Sequence, residues 1–317
     1  MRKFICALFF SLFASLALIA QTTADVDESN SVAESLLNQK PNGALEKATK
    51  AKTTAENLNY PKGKAKALAL MGVANYKIDA YEKAKILITE AISLSAQIAD
   101  TSTLSFSQYW LANIELNRGQ YGKALDLYQS CLQLATSSND KKNIARCLDG
   151  KGSIYESLNE DSKALEFYNQ SLQTAKDVNF KEWYGTVIFE IANLDYKQGK
   201  LDEALKKYDE AVKLSEETHN LNNKASCLQQ MASVYYDKKD TRQAMKFAQQ
   251  AMDLFQQTGS SSSYSHCRLL MSYIMLGERD YSLAADLATI SFNEGKTSGE
   301  IELQKSAAEV LYYAYLY

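Results

Sequence analysis

Proline is nearly absent from this chain: 2 in 317 residues, Pro41 and Pro61, both early. Proline removes a helical donor and clashes with the preceding turn, so its scarcity leaves room for long unbroken helices. Histidine is equally scarce, and neither His219 nor His266 has a Cys or His partner at metal-ligand spacing, which argues against a zinc site. The 13 glycines are scattered and form no phosphate-cradling loop. Charge of one sign is not concentrated either. Lys+Arg 35 against Asp+Glu 38 gives a net charge of -3 without a basic block, so neither nucleic acid nor an anionic membrane is expected as a partner. No apolar run after residue 20 is long enough to span a bilayer. Carboxylate neighbours such as Glu160–Asp161 and Asp202–Glu203 sit where a helix begins, and the helix dipole accounts for them without acid–base chemistry. No catalytic set and no cofactor motif is left, so an enzyme is not expected.

What is present begins with an export signature. "MRK" is a short cationic start, and "FICALFFSLFASLALIA" follows without a charge. That layout predicts a secretory signal peptide over residues 1–20, cut after Ala20 or as late as Ala24. The alternative is an uncleaved anchor at the short limit for crossing a bilayer. No Leu-x-x-Cys run closes the segment, and Cys6 lies too early for lipid modification. An exported protein of the periplasm or cell envelope is expected.

The rest of the chain repeats. "YEKAKILITEAI", "YGKALDLYQSCL", "DSKALEFYNQSL", "LDEALKKYDEAV", "TRQAMKFAQQAM" and "YSLAADLATISF" align on Ala84, Ala124, Ala164, Ala204, Ala244 and Ala284, each step being 40 residues, and the series extends back to Ala44. Seven residues later stand Ala51, Ala91, Cys131, Ser171, Ala211, Ala251 and Ser291, all small. Twelve before the alanine stand Gly72, Ala112, Gly152, Ala192, Ala232 and Ser272, also small. Apolar offsets of 3, 4 and 7 in each half give a helical period, so each unit reads as two helices. The break falls at Gly119, Asn159 and Gly199, residue types that tolerate the left-handed conformation ending a helix. Polar stretches such as "TSSNDKKN" and "TGSSSSYS" read as loops between units with a helix cap. Small columns let helix axes approach to about 8–10 Å. One hairpin cannot bury its own apolar face, but stacked hairpins can.

Small residue, aromatic, turn glycine, "Y-x-x-A" and a second small residue, as in "GSIYESLNEDSKALEFYNQSL" and "IANLDYKQGKLDEALKKYDEAV", resemble the tetratricopeptide repeat. The unit of 40 exceeds the family's usual length of about 34 residues and resembles a longer-helix subclass found in peptide-sensing and adaptor proteins. The resemblance implies an all-α, right-handed solenoid of stacked antiparallel hairpins with a concave groove. It divides the chain into a cap and irregular first repeat over 25–62, six repeats over 63–302, and the leading helix of a truncated repeat over 303–317. It implies a scaffold that docks a protein or peptide in its groove. The alternative it suggests is the extracytoplasmic sensor region of a membrane-anchored regulator, of histidine-kinase or helix-turn-helix type, whose output domain lies beyond Tyr317. The tyrosine-rich ending, Tyr312 to Tyr317, fits either a covered end or a continuing chain.

The same resemblance selects groove residues. Positions eight, eleven and fifteen before the alanine should line the concave face, placing Tyr109, Asn113, Phe189, Asn193, Tyr196, Tyr236 and Tyr273 there. Aromatic rings offer contact area, and Asn both donates to and accepts from a peptide backbone. Arg146 could pair with a ligand carboxylate, or with Asp149 one turn on. Cys147, Cys227 and Cys267 share a column, but column mates in adjacent units should lie about 8–10 Å apart, too far for a disulfide ladder. They read as small buried hydrophobes, and so does Cys131 among its alanines. On that reading Cys131→Ala should cost less than about 1 kcal/mol.

Overall fold

The computed structural model describes residues 22–316. Among these it contains fifteen helices and no strand. They are α1 Thr23–Leu36, α2 Pro41–Asn57, α3 Pro61–Lys77, α4 Tyr81–Gln97, α5 Thr101–Asn117, α6 Tyr121–Ser137, α7 Lys141–Ser157 and α8 Asp161–Asp177. The series continues with α9 Lys181–Lys197, α10 Leu201–Glu217, α11 Leu221–Asp237, α12 Thr241–Thr258, α13 Ser261–Gly277, α14 Tyr281–Ser298 and α15 Ile301–Leu316. Odd-numbered helices lead each hairpin and even-numbered helices trail. The expected export segment and Tyr317 lie outside the described residues.

Punctuation is more regular than the sequence alone indicates. Every twentieth residue from Asn59 to Gly299 has positive φ, including the expected Gly119, Asn159 and Gly199. The following residue donates its N–H back to the carbonyl five before it, as Tyr60 to Ala55, Asp100 to Ser95 and Asp140 to Ala135, 2.8–2.9 Å. This bond closes a helix end with a left-handed residue. Ala99, Lys239 and Arg279 also take that conformation, because the packing on both sides fixes the turn. Asp100, Asp140, Asn220, Asp240 and Asp280 then cap the next helix, each accepting a backbone N–H from three residues on. Ser260 is the exception to the expected cap: its side chain makes no cap bond to α13. At the start, α1 takes in the acidic residues Asp25, Asp27 and Glu28, because Thr22 and Asp25 form a reciprocal capping box.

The alanine columns are fully buried. A Cβ added at Gly72 would meet Ile88, and one at Gly152 would lie 2.6 Å from the Tyr168 ring, so these two positions are filled up to the backbone. The structure corrects the reading of Cys131. It is disulfide-bonded to Cys147, with Cα atoms 6.4 Å apart, tying α6 to α7. Sequence reasoning compared column mates, whereas the bond joins facing columns sixteen residues apart. By the same register Cys227 packs with Ala211 and Cys267 with Ala251, so these two remain buried free thiols.

The solenoid also touches itself across a full superhelical turn. Asn38 donates to Glu182 at 2.5 Å, and its carbonyl accepts the N–H of Leu221 at 3.1 Å. Ser260 donates to the Lys77 carbonyl at 3.2 Å, and Asp79 accepts the N–H of Ser262 at 2.9 Å. These contacts bring the first hairpins against α9, α11 and α13 and make the groove a channel.

Candidate functional site

The leading helices α1, α3, α5, α7, α9 and α11 surround a cavity of about 730 Å³. That volume suits a small molecule or a few peptide residues. Its wall is aromatic. Trp110 lies edge-on to Tyr76, Phe106 and Tyr109, with ring centroids 5.2, 6.3 and 5.3 Å away. Tyr109 reaches Trp183 at 5.7 Å, and Trp183 stacks with Phe180 at 5.9 Å. The chain's 2 tryptophans thus both line the cavity.

Arg146 is gripped by this aromatic wall. Its Cζ lies 5.4, 5.0 and 5.5 Å from the rings of Phe106, Phe180 and Trp183. One guanidinium N–H donates to Asn143 at 2.9 Å, and Asn143 in turn donates to Ser105 and Asp140. Cation–π contact and this relay hold the guanidinium in place. No ion pair joins it to Asp149, so the expected neutralisation within α7 does not occur. Lys77 lies over Trp110 at 5.5 Å, and burial pushes its amine down to about 8.

A carboxylate group faces the same space. Asp149 is 5% exposed, and its Oδ1 has no partner. Burial, with Glu156 adding to it, holds this acid well above the usual carboxylate range. Glu190 also lines the cavity, and burial followed by the charge of Asp149 raises it in the same direction. Glu156 accepts the Tyr168 hydroxyl at 2.6 Å, which offsets part of its own upward shift.

The residues selected from sequence divide in two. Tyr109, Asn113, Arg146 and Phe189 line the cavity together. Asn113 donates to the Tyr109 carbonyl within α5. Asn193, Tyr196, Tyr236 and Tyr273 stand outside the cavity lining. Asn193 donates to Glu190 at 3.1 Å and accepts the Tyr208 hydroxyl at 2.7 Å, so it fixes the wall. Tyr196 donates to Asp237, and Tyr273 donates to Glu309 and the Ser306 carbonyl. Tyr236 packs against the last hairpins, beneath Lys239. Sequence reasoning missed Trp110, Trp183, Phe106, Phe180 and Glu190. Phe106 and Trp183 lie in the N-terminal halves of α5 and α9, Phe180 caps α9, and Trp110 and Glu190 lie just past the helix midpoints, all away from positions eight, eleven and fifteen before the alanine. Both tryptophans were visible as the rarest large residues.

The tetratricopeptide-repeat family model matches residues 103–177 and 185–257, and a model for anaphase-promoting complex subunit 5 matches residues 65–118. Residues 103–177 and 185–257 therefore carry tetratricopeptide repeats. No curated protein matches it in sequence. Its fold is similar to a Rap protein complexed with competence and sporulation factor, at TM-score 0.60 and 10% identity over 93% of this chain and 98% of that one. It is similar to NprR in complex with its cognate peptide NprX, at TM-score 0.62 and 14% identity over 86% and 79%. It is also similar to the APC/C hetero-tetramer Cut9-Hcn1, at TM-score 0.64 and 14% identity over 89% of this chain and 48% of that one.

Proposed function

We propose that the chain is a non-catalytic recognition scaffold whose channel receives an extended peptide or a segment of a partner protein. The observation that carries this reading is the cavity itself: aromatic rings interleaved with amide and charged side chains, several of whose polar atoms have no protein partner. A preformed concave site with a few convergent polar groups is the ordinary form of a binding pocket. Of the structurally similar proteins, NprR is in complex with its cognate peptide and Rap with competence and sporulation factor, which supports a ligand of this kind.

We further propose that the scaffold works outside the cytoplasm, in the cell envelope. The cationic start and uncharged run over residues 1–20 support export, and the Cys131–Cys147 disulfide suits an oxidising compartment. A sensor region feeding an output domain would use the same channel.

Because Trp110 and Trp183 are the sole tryptophans and both line the channel, intrinsic fluorescence reports its occupancy directly. Titrating the oxidised protein with randomised, end-blocked pentapeptides should change the emission saturably, and Asn113→Ala with Phe189→Ala should weaken the response. A fluorescence response unaltered by a large excess of every pool would refute the channel reading.

A further inference from the structure

Of the charged groups on the channel wall, Asp149 and Glu190 are the hardest to explain by folding. Removing a carboxylate from water is costly unless a cation and hydrogen bonds replace the water. Neither residue has an ion-pair partner. No side chain donates to the Asp149 carboxylate, and the Glu190 carboxylate accepts one hydrogen bond, from Asn193. The nearby cations are engaged elsewhere: Arg146 with Asn143 and three rings, Lys197 with Asp161 and Lys207 with Asp195. No set of three metal-ligating side chains comes together among the described residues.

A second observation is independent of these acids. The indole N–H groups of Trp110 and Trp183 line the same cavity, 9% and 7% exposed, and neither has an acceptor. The Nε of Arg146 and the amide nitrogen of Asn222 are likewise unpartnered there. The wall therefore lacks two things at once: carbonyl-type acceptors for its buried donors, and an organic cation for buried Asp149 and half-buried Glu190. A peptide segment bearing lysine or arginine supplies both. Its backbone carbonyls meet the donors, and its ammonium or guanidinium meets the acids beside rings that favour cations.

We infer that Asp149 and Glu190 form a subsite for a basic side chain of the bound peptide. This rests on the channel reading above and specifies its ligand. In the empty protein burial raises both acids above the ordinary carboxylate range. An arriving cation favours their ionised forms, so binding releases protons to solvent. The groups facing them are Glu156 on α7, Tyr109 on α5, Tyr128 on α6, Tyr168 on α8, Tyr208 on α10 and Cys227 on α11. Tyr76 on α3 also faces Glu190, and the cations lining the same cavity are Lys66 and Lys77 on α3, with Lys142 and Arg146 on α7, the last held by its rings.

The test uses the full oxidised chain and two acetylated, amidated pentapeptide pools with randomised neutral flanks. One pool carries lysine or arginine at the centre. The other carries norleucine or citrulline, which match in size and lack the charge. Tryptophan emission and proton release in weak buffer are read at pH 7. The cationic pool should bind about tenfold tighter or more and release protons. Asp149→Asn with Glu190→Gln should bring the two pools level. Equal affinity of both pools for the native protein would overturn the subsite and leave the channel reading standing, with no variant needed. An emission that neither pool changes would remove both.

Discussion

The leading and trailing helices of a hairpin have nearly the same length but bury themselves differently. The trailing helix α6 buries Ala124, Tyr128, Cys131 and Ala135, one narrow stripe. The leading helix α5 buries Thr103, Ser105, Phe106, Ser107, Tyr109, Trp110, Ala112, Ile114 and Glu115, spread around most of its circumference. A trailing helix packs on one side and faces solvent on the other. A leading helix packs against its own partner, against both neighbouring units and around the channel. Its inner face is therefore enclosed whether or not anything binds there. Packing and recognition are superimposed on one helix and separated on the other.

That difference gives three measurable contrasts. The largest concerns the trailing stripe. Tyr168 on α8 is fully buried over Gly152, whereas its neighbour Phe167 is half-exposed and stacks on Tyr155 at 5.3 Å. Tyr168→Ala should cost about 3–5 kcal/mol in urea unfolding. Phe167→Ala should cost less than half as much. Equal losses would mean that the trailing helix is not one-sided.

Next comes the seam between the two helix types. Cys131→Ala should cost roughly 2–4 kcal/mol, since the disulfide closes a loop of sixteen residues in the unfolded chain. The difference should vanish when both proteins are measured in a dithiol reductant. If the variant matches the oxidised parent, cysteine is present at this position for its size alone.

The smallest contrast has the opposite sign and belongs to the leading helix. Asp149 holds its proton in the folded state above the range where the unfolded chain releases it. Its protonated form thus stabilises fully below about pH 4, and that contribution is lost as pH rises through the folded-state value. Asp149→Asn removes this loss. The variant should gain on the parent by about 1 kcal/mol or more between pH 5 and pH 8, read from urea midpoints at each pH. A parallel pair of curves would show that Asp149 is ionised in the empty protein.

The two helix types also explain what could be read in the sequence. The alanine columns at 40-residue steps and the small columns around them require a particular volume, and sequence displays volume directly. Gly119, Asn159 and Gly199 marked the turns because their residue types suit left-handed backbone. Ala99 and Lys239 do not, and only their spacing gives them away. The channel was half legible. Tyr109 and Phe189 share the column fifteen before the alanine, but Trp110 and Trp183 stand in two different columns, and periodicity displays only what repeats. Tyr236 and Tyr273 share helical positions with channel residues and yet lie beyond the cavity. Where the superhelix closes is set by turns meeting across its diameter, such as Asp79 with Ser262, and no local pattern records that meeting.

That meeting has a consequence for how the chain unfolds. A repeat array with neighbour contacts alone behaves as a one-dimensional chain of units, able to fray from either end. Here the second hairpin is hydrogen-bonded to the turn before α13, 183 residues away. Losing the first two hairpins removes contacts from α9, α11 and α13, and losing those helices removes contacts from the first two hairpins, so the array from α1 to α13 is cyclic in its energetics although linear in its sequence. Partly frayed states lose their advantage, and unfolding becomes more nearly all-or-none. Closing so long a loop must also come late in folding, after the local hairpins have formed.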